Sequence, residues 1–321
     1  MDRIKESFDS LPIAACFFDK NGVVRLINRR MLAIANWLRK GGIQSLAEMQ
    51  SALHSPPANV RCLDLRLRIY RFPDGKALRF AQEQIKPCAS EWDAKGIFPA
   101  QALQQMGELG FMGMLVPEQW GGSDTGNLAY VLALEEVAAA DGATSAIMSV
   151  HNSVGCVPIL KFGTDEQKQR FLTPLAQGRM IGAFALTEPH TGSDAAAIKT
   201  RAVKDGDDYI LNGAKQFITS GHNAGVIIVF AVTDPGAGKK GLSAFLVPRN
   251  SAGYEVIRVE EKLGLHASDT CQIALTDVRI HKSLMLGKEG DGLKIALANL
   301  EGGRIGIGAQ AVGLARAALT E

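Results

Sequence analysis

The stretch Phe184-Ala-Leu-Thr-Glu-Pro-His-Thr-Gly-Ser-Asp194 decides how this chain of 321 residues is interpreted. It begins with an apolar run and ends in a loop that carries hydroxyls, a proline and a glycine. Backbone amides in such a loop can turn toward an anion, and the Ser193 hydroxyl adds a donor, which suits a phosphate. Composition by itself would favour a plainer interpretation, a surface turn with helix-capping residues.

Length and composition indicate a chain with a large core. At 321 residues and 46% hydrophobic content, two or three domains are expected. The longest apolar run, Ala224–Val232, is far shorter than the roughly 20 residues that cross a bilayer, so no membrane span is expected. The N-terminus leads into no long apolar segment, which argues against a secretory signal and favours a cytoplasmic location.

Cysteines and histidines are scattered along the chain. No CxxC pair or His pair at i, i+4 spacing occurs, so neither a disulfide framework nor a metal site is expected. The five cysteines are predicted to be free thiols: Cys16, Cys62, Cys88, Cys156 and Cys271.

Charge is unevenly distributed. The whole chain carries a net +2, but residues 1–80 hold 14 Lys and Arg against 7 Asp and Glu. A basic segment is compatible with nucleic-acid binding. However, Arg66, Arg68 and Arg71 alternate with apolar residues as on one strand face, so a solvated face is the favoured interpretation and no nucleic acid is expected.

Residues 1–80 are predicted to form a small mixed unit. Two short strands, Leu11–Phe18 and Val23–Asn28, flank an Asn-Gly turn in the manner of a β-hairpin. A helix over Arg29–Arg39 and a strand over Cys62–Phe72 follow. A last strand is predicted to begin at Ala77–Phe80.

This order of elements resembles the front part of a PAS sensor domain. LPIAACFFDKNGVVRLINRRM, residues 11–31, is similar to an opening hairpin, and YRFPDGKALRF, residues 70–80, to a late one. An unassigned mixed domain is the alternative that the pattern leaves open.

From residue 81 the periodicity becomes helical and then changes to that of strands. Predicted helices cover 81–94, 99–109, 127–140 and 144–159, and Thr164 with Gln167 predicts a capping box at the start of another. Between 180 and 280 the clearest strands are 226–232, 243–247 and 271–275. Two helices, 293–300 and 305–319, are predicted after Gly290.

Several blocks along residues 81–321 resemble the acyl-CoA dehydrogenase family. In that family's signature an aliphatic residue precedes Ser/Thr-Glu, then come two free positions, a small residue and Gly-Ser/Thr-Asp, as in residues 186–194. The further blocks occur in the family's order: PEQWGG (117–122), GTDEQKQRFL (163–172), LNGAKQFITSG (211–221), KLGLHASDT (262–270) and LEGGRIGIGAQAVGLARAAL (300–319).

The resemblance implies an α+β multidomain fold. We expect a PAS-like α+β segment over 1–80, a helical N-terminal layer over 81–180, a middle β-barrel domain over 181–285 and the first part of a C-terminal helical bundle over 286–321.

The resemblance also implies an FAD site where the β domain meets the helices. The Thr187 hydroxyl would bond the pyrimidine side of the flavin, Thr219 would lie against N5, and the aromatic ring of Phe217 would replace a tryptophan common in the family. By composition alone Phe217-Ile-Thr219 is an ordinary strand. The expected cofactor-binding residues are Phe184, Leu186, Thr187, Gly192, Ser193, Phe217, Ile218 and Thr219.

The substrate implied by the family is an acyl-CoA, with Ser193, Glu301, Gly302, Gly303 and Arg304 as the expected contacts. Glu301 is rejected as the catalytic base. In the branch of the family that has its base on this helix, the base immediately precedes the arginine, and in this sequence that position is Gly303. The pattern instead resembles short-chain and short branched-chain members, whose glutamate comes later; we expect it beyond Glu321.

These implications lead to one expected function and one alternative. The expected function is α,β-dehydrogenation of a short or short branched acyl-CoA to the 2-enoyl-CoA, and this activity is expected to be impaired without the base. Electrons are expected to pass to electron-transfer flavoprotein, and the complete protein is expected to be a homo-oligomer. The alternative is a signalling or binding module in which a PAS-like sensor is joined to a catalytically silent flavin domain.

Overall fold

The structure is a computed structural model that describes residues 16–18, 24–27 and 76–320. The chain divides into two compact units, Met1–Ile69 and Tyr70–Glu321. In the first unit, strand β1 (Cys16–Phe18) pairs antiparallel with β2 (Val24–Ile27), which confirms the predicted hairpin. The other elements predicted before residue 73, and with them the PAS resemblance, lie outside the described residues.

The second unit begins with a helical layer. π-helical turns at Ala81–Ile85, His151–Cys156 and Lys168–Leu172 connect some of its helices. The helices are α1 (Lys76–Phe80), α2 (Lys86–Lys95), α3 (Ala100–Glu108), α4 (Gly126–Ala140), α5 (Gly142–Val150), α6 (Val157–Phe162), α7 (Asp165–Gln167) and α8 (Thr173–Ala176).

The predicted strand at Ala77–Phe80 is wrong, because these residues form helix α1. Ala77, Phe80, Ala81 and Ile85 follow one another at helical spacing and are all buried, so one face of a helix, rather than a strand, places them in the core. The turn residues Pro73-Asp-Gly75 in the sequence suggested a hairpin, but the packing of residues 77–80 against the core determines that they are helical.

Side chains cap two helices of the layer, one of them as predicted. The side chain of Asp141 caps α5 by accepting from the amides of Ala143 and Thr144. The capping box of Thr164 and Gln167 at α7 is confirmed. These caps satisfy amides that would otherwise lack partners at the helix starts.

The β domain is built on an eight-stranded sheet. Its strand order is β10-β7-β6-β4-β5-β9-β8, and β3 pairs parallel with β6 off this path. The strands are β3 (Gly182–Ala185), β4 (Arg201–Asp205), β5 (Asp208–Thr219), β6 (Val226–Val232), β7 (Leu242–Pro248), β8 (Tyr254–Val259), β9 (Thr270–His281) and β10 (Met285–Leu286).

Strand β6 explains how the sheet joins the helical layer. Ile228 and Phe230 face the cluster that includes Ile159 and Leu175 of the helices, whereas Ile227 and Val229 face the other side of the sheet. A strand covered on both faces is expected to be apolar at every position, and β6 is. The core is therefore continuous from the helices into the sheet.

One helical stretch, Gly142–Phe162, is long and apolar enough to cross a membrane by length and composition alone. Of its most apolar window, 78% is buried inside the protein. It therefore serves as a core element of the helical layer.

The last helix, α9 (Gly292–Thr320), is continuous, so the prediction of two helices is wrong. Two glycines within it, Gly306 and Gly313, allow close packing against neighbouring helices. A Cβ at Gly306 would collide with the Ser149 hydroxyl, and one at Gly313 with the Glu135 carbonyl. The close approach to α4 and α5 compensates for the poor helix propensity of glycine.

Candidate functional site

Strand β3 carries the start of the candidate site. The ring of Phe184 packs 4.8 Å from that of Phe230 on β6, measured between centroids. Leu186 is buried and Thr187 is half-buried. The chain thus runs along the sheet up to Thr187 and then turns into the loop that was singled out in the sequence.

Strand β5 carries the second part, at a β-bulge. Its pairing with β9 shifts register between Lys215 and Ile218, so Gln216 and Phe217 leave the regular ladder. Phe217 has φ of +58° and its side chain is 63% exposed. A bulky residue in the left-handed region costs roughly 1–2 kcal/mol, and such outliers cluster at functional sites.

The two parts meet at this bulge. The Gln216 amide, freed from the ladder, donates to the Thr187 carbonyl at 2.9 Å. The Lys215 ammonium donates to the Leu186 carbonyl at 3.2 Å. Two stretches predicted separately from the sequence are therefore adjacent, and we name this region, Leu186–Glu188 together with Lys215–Phe217, the β3–β5 junction.

A buried ion pair lies within the junction. Lys215 Nζ is 2.8 Å from Glu188 Oε1, and the two residues are 0% and 4% exposed. Glu188 also accepts from the amides of Lys199 (2.6 Å) and Thr200 (2.9 Å). Each charge thus has several polar partners, which is the condition for burying a charge at tolerable cost.

The ion pair stays charged near neutral pH. Burial would raise the pKa of Glu188, but the charge and hydrogen bond of Lys215 and the bonds from Thr200 and Lys199 outweigh it, so this pKa is lowered. Burial lowers the pKa of Lys215 to about 8, while Glu188 opposes the change. The ammonium therefore depends on its carboxylate partner to remain protonated.

The loop that follows can accept an anion. Glu188 and Thr191 exchange backbone hydrogen bonds of 2.9 and 3.1 Å, and the Thr191 hydroxyl donates to the Asp194 carbonyl at 2.7 Å. Gly192 and Ser193, at the tip, are exposed and donate no hydrogen bond to any residue of 76–320. Their amides and the Ser193 hydroxyl remain available to a phosphate.

Ile218 and Thr219 complete the end of β5. Ile218 is buried in the sheet, whereas Thr219 is half-buried. Neither the Thr187 nor the Thr219 hydroxyl bonds another described residue. Asp269 fixes the turn after Thr219, since it binds the amide of His222 at 2.8 Å and the amide side chain of Asn223 at 3.1 Å.

Four of the predicted substrate residues lie on α9, and the fifth, Ser193, lies in the loop described above. Glu301, Gly302 and Arg304 are exposed, and a Cβ on Gly303 would lie 3.7 Å from the side chains of Ser153 and Val154. Arg304 forms no ion pair within 76–320. Leu300, which immediately precedes Glu301, packs on the same hydrophobic cluster as Phe184.

This arrangement fits a flavin. An exposed aromatic ring is held in a strained conformation beside an apolar run, and the half-buried hydroxyls of Thr187 and Thr219 have no hydrogen-bond partner in the described part of the chain. Free amides at the loop tip suit a pyrophosphate. The structure therefore brings Phe184–Thr187 and Phe217–Thr219 into one region, and α9 is linked to it through Leu300, which packs on the same cluster as Phe184.

Sequence reasoning did not single out Lys215, Glu188 and Gln216. A lysine within an otherwise half-buried strand, and a glutamate after an apolar run, are the signals that could have indicated a buried pair. Glu188 and Lys215 are 27 positions apart, which hides the pairing because no local period links the two positions.

Comparison with known proteins covers both parts of the second unit. Residues 75–179 match the family model described as acyl-CoA dehydrogenase, N-terminal domain. Residues 183–278 match the model described as acyl-CoA dehydrogenase, middle domain.

Individual proteins to which this chain is similar are also acyl-CoA dehydrogenases. The chain is 48% identical over 240 residues to an acyl-CoA dehydrogenase of Bacillus subtilis, covering 75% of this chain and 63% of that one. It is 46% identical to the mitochondrial short-chain specific acyl-CoA dehydrogenase of Mus musculus, covering 75% and 58%. The structure of butyryl-CoA dehydrogenase from Megasphaera elsdenii superposes with a TM-score of 0.74 at 42% identity, covering 76% and 65%. The chain thus spans about three fifths of the length of these relatives.

Proposed function

This chain belongs to the acyl-CoA dehydrogenase family, and from that premise we propose that it binds FAD at the β3–β5 junction and takes a short or short branched acyl-CoA as substrate. The observation that carries the proposal is the bulge in β5. It places an exposed, strained Phe217 next to Thr187, at the meeting point of two family motifs.

Each residue of the site has a proposed role. The ring of Phe217 forms a wall for the flavin, and Phe184, Leu186 and Ile218 supply the apolar surface behind it. The hydroxyls of Thr187 and Thr219 donate to polar atoms of the ring. The amides of Gly192 and Ser193 bind phosphate oxygens, and Ser193 also contacts the acyl-CoA.

Residues Glu301–Arg304 on α9 are proposed to contact the acyl-CoA. The guanidinium of Arg304 is exposed and has no ion-pair partner among residues 76–320, so it is suited to an oxygen of the thioester side or of a phosphate. Gly303 leaves no side chain at its position, where a Cβ would lie 3.7 Å from the side chains of Ser153 and Val154.

The proposed reaction is α,β-dehydrogenation. FAD, when bound, supplies an acceptor for the β-hydrogen as hydride, and electron-transfer flavoprotein is the proposed next acceptor. The α-proton needs a carboxylate at the α-carbon, and we assign that role to none of the described residues. We therefore propose that these 321 residues alone turn over slowly.

An anaerobic titration with butyryl-CoA tests this function. We expect the purified chain to carry FAD, and butyryl-CoA to shift its visible absorption bands with little or slow bleaching. Fast bleaching would contradict the slow turnover, and a chain that binds neither FAD nor butyryl-CoA would contradict the proposal as a whole.

The alternative is a sensor-linked module with a silent flavin domain. Its support is the β1–β2 hairpin together with the resemblance of residues 1–80. A ligand that binds an isolated 1–75 fragment, with no acyl-CoA effect on the flavin of the full chain, would favour the module over the enzyme.

A further inference from the structure

We infer that the buried pair Lys215–Glu188 is a positioning device for the proposed FAD site, holding the Leu186–Thr187 backbone against β5 and balancing the charge beneath it. This inference rests on the proposed function for its ligand. It concerns two residues that no role above requires.

The hydrogen bonds of the pair converge on three strands. From β5, Lys215 reaches the Leu186 carbonyl at 3.2 Å, one residue before Thr187. Glu188, one residue after Thr187, binds the amides of Lys199 and Thr200 at the start of β4. Thr187 is therefore fixed from both sides, and its own carbonyl is held by the Gln216 amide.

Stability alone does not account for this pair. Burying two charges is costly, and replacing such a pair by apolar residues of similar volume is often neutral or stabilising. What an apolar pair cannot do is donate to the Leu186 carbonyl or accept from the two β4 amides. The ionic pair therefore defines the path of the chain on both sides of Thr187.

The pair also sets the local charge. Together the ammonium and carboxylate are neutral, but either one alone leaves a full charge in a region of low dielectric, where its field acts strongly on a bound ring. Among residues 76–320, the other titratable group that faces the pair is His190, whose Nε2 is 3.7 Å from Glu188 Oε2. His190 lies on the solvent side and is the smaller influence.

The main test replaces both charges at once. In the variant Lys215→Met/Glu188→Met we expect urea unfolding close to wild type, at least tenfold faster hydrogen exchange at the Lys199, Thr200 and Gln216 amides, and at least tenfold weaker FAD binding. The control Lys282→Met breaks an exposed pair of the same 2.8 Å length, with Asp207, and should change none of these. Wild-type exchange and FAD affinity in the double variant would overturn the inference.

Single variants test the charge balance. Lys215→Met leaves an uncompensated carboxylate and should shift the midpoint potential of bound flavin to more negative values. Glu188→Gln removes the carboxylate on which the protonation of Lys215 depends, so it should leave no buried charge at neutral pH and shift the potential much less. Shifts of equal size and sign in the two variants, or no shift in Lys215→Met, would overturn the electrostatic part.

Failure of the proposed function is separable from failure of this inference. If the wild-type chain binds no FAD, the proposed function is wrong. The exchange rates of the ligand-free chain then still decide whether the pair positions the Thr187 backbone.

Discussion

The β3–β5 junction and the Glu301–Arg304 turn of α9 are built in opposite ways. At the junction, a buried ion pair, a bulge and a strained phenylalanine are held by bonds between residues 27 or more positions apart. On α9, Glu301 and Arg304 simply project from a helix into solvent, with no partner in the described part of the chain.

The two regions differ in how much unfavourable structure they contain. The junction contains desolvated charges and a left-handed backbone, both of which are destabilising and persist only because the surrounding sheet fixes them. The α9 turn carries no such cost. The account therefore predicts that single substitutions at the junction change both the stability of the chain and FAD binding, whereas those in the Glu301–Arg304 turn change acyl-CoA binding alone.

The largest expected effect is the loss of one charge from the buried pair. Lys215→Met leaves Glu188 buried without its ammonium, which should reduce the free energy of unfolding by roughly 3–5 kcal/mol in a urea titration. Arg304→Met is the comparison and should stay within about 0.5 kcal/mol of wild type. Similar losses in the two variants would remove the contrast between the regions.

The second effect concerns the start of β3 and depends on pH. Buried His151 accepts from the Gly182 amide at Nδ1 (3.2 Å) and contacts the Leu175 carbonyl through Nε2 (3.0 Å). Burial lowers its pKa to about 4, although backbone bonds oppose this. The unfolded chain, with a histidine pKa near 6.5, then binds the proton more readily than the folded one.

Stability from His151 should therefore be fully present above about pH 6.5 and be lost as the pH falls toward 4, by roughly 3 kcal/mol. Chemical denaturation at pH 7 and pH 4.5 measures this, with His151→Gln as the matched variant that cannot titrate. Equal pH dependence in the two proteins would show that His151 is not the group responsible.

A third, smaller effect separates the backbone strain at Phe217 from the contribution of its ring to FAD binding. Phe217→Gly removes an exposed ring from a left-handed backbone, so the chain should become about 1 kcal/mol more stable. Loss of the aromatic wall should weaken FAD binding by about tenfold.

Asp277→Gly is the control for this variant, because Asp277 also has positive φ (51°) but lies elsewhere on the sheet, beside Asn212. It should leave FAD affinity unchanged. If Phe217→Gly binds FAD as tightly as wild type does, the strained ring has no part in the site.

The smallest expected effect compares two arginines of α9. Arg316 is paired with Glu136 (2.7 and 2.8 Å), so Arg316→Met should cost up to about 1 kcal/mol of stability without changing acyl-CoA binding. Arg304→Met should do the reverse, weakening butyryl-CoA binding about fivefold, or roughly 1 kcal/mol. Titrations followed by the flavin spectrum compare the two, and equal losses of affinity would contradict the assigned roles.

Local patterns in the sequence predicted much of the fold. The apolar run of β6 and the capping box at Thr164 are short-range signals, and both are confirmed. The wrong predictions concern elements whose structure is determined by contacts with residues distant in sequence. Helix α1 is helical because one of its faces packs in the helical core, and α9 is continuous while Gly306 and Gly313 pack closely against α4 and α5.

The site was predictable only in part, and through family resemblance. The motifs around Thr187 and Phe217 indicated the flavin residues, but nothing in their spacing shows a bulge or the pairing of Lys215 with Glu188. A cytoplasmic location, a homo-oligomer and the role of residues 1–80 stay predictions.

A titration of the purified, FAD-free chain with FAD, followed by visible absorption and flavin fluorescence, tests the central claim most directly. The account predicts saturable binding of one FAD per chain, with altered flavin bands, and about tenfold weaker binding in Phe217→Gly. FAD that keeps the spectrum of the free cofactor at every protein concentration would contradict it.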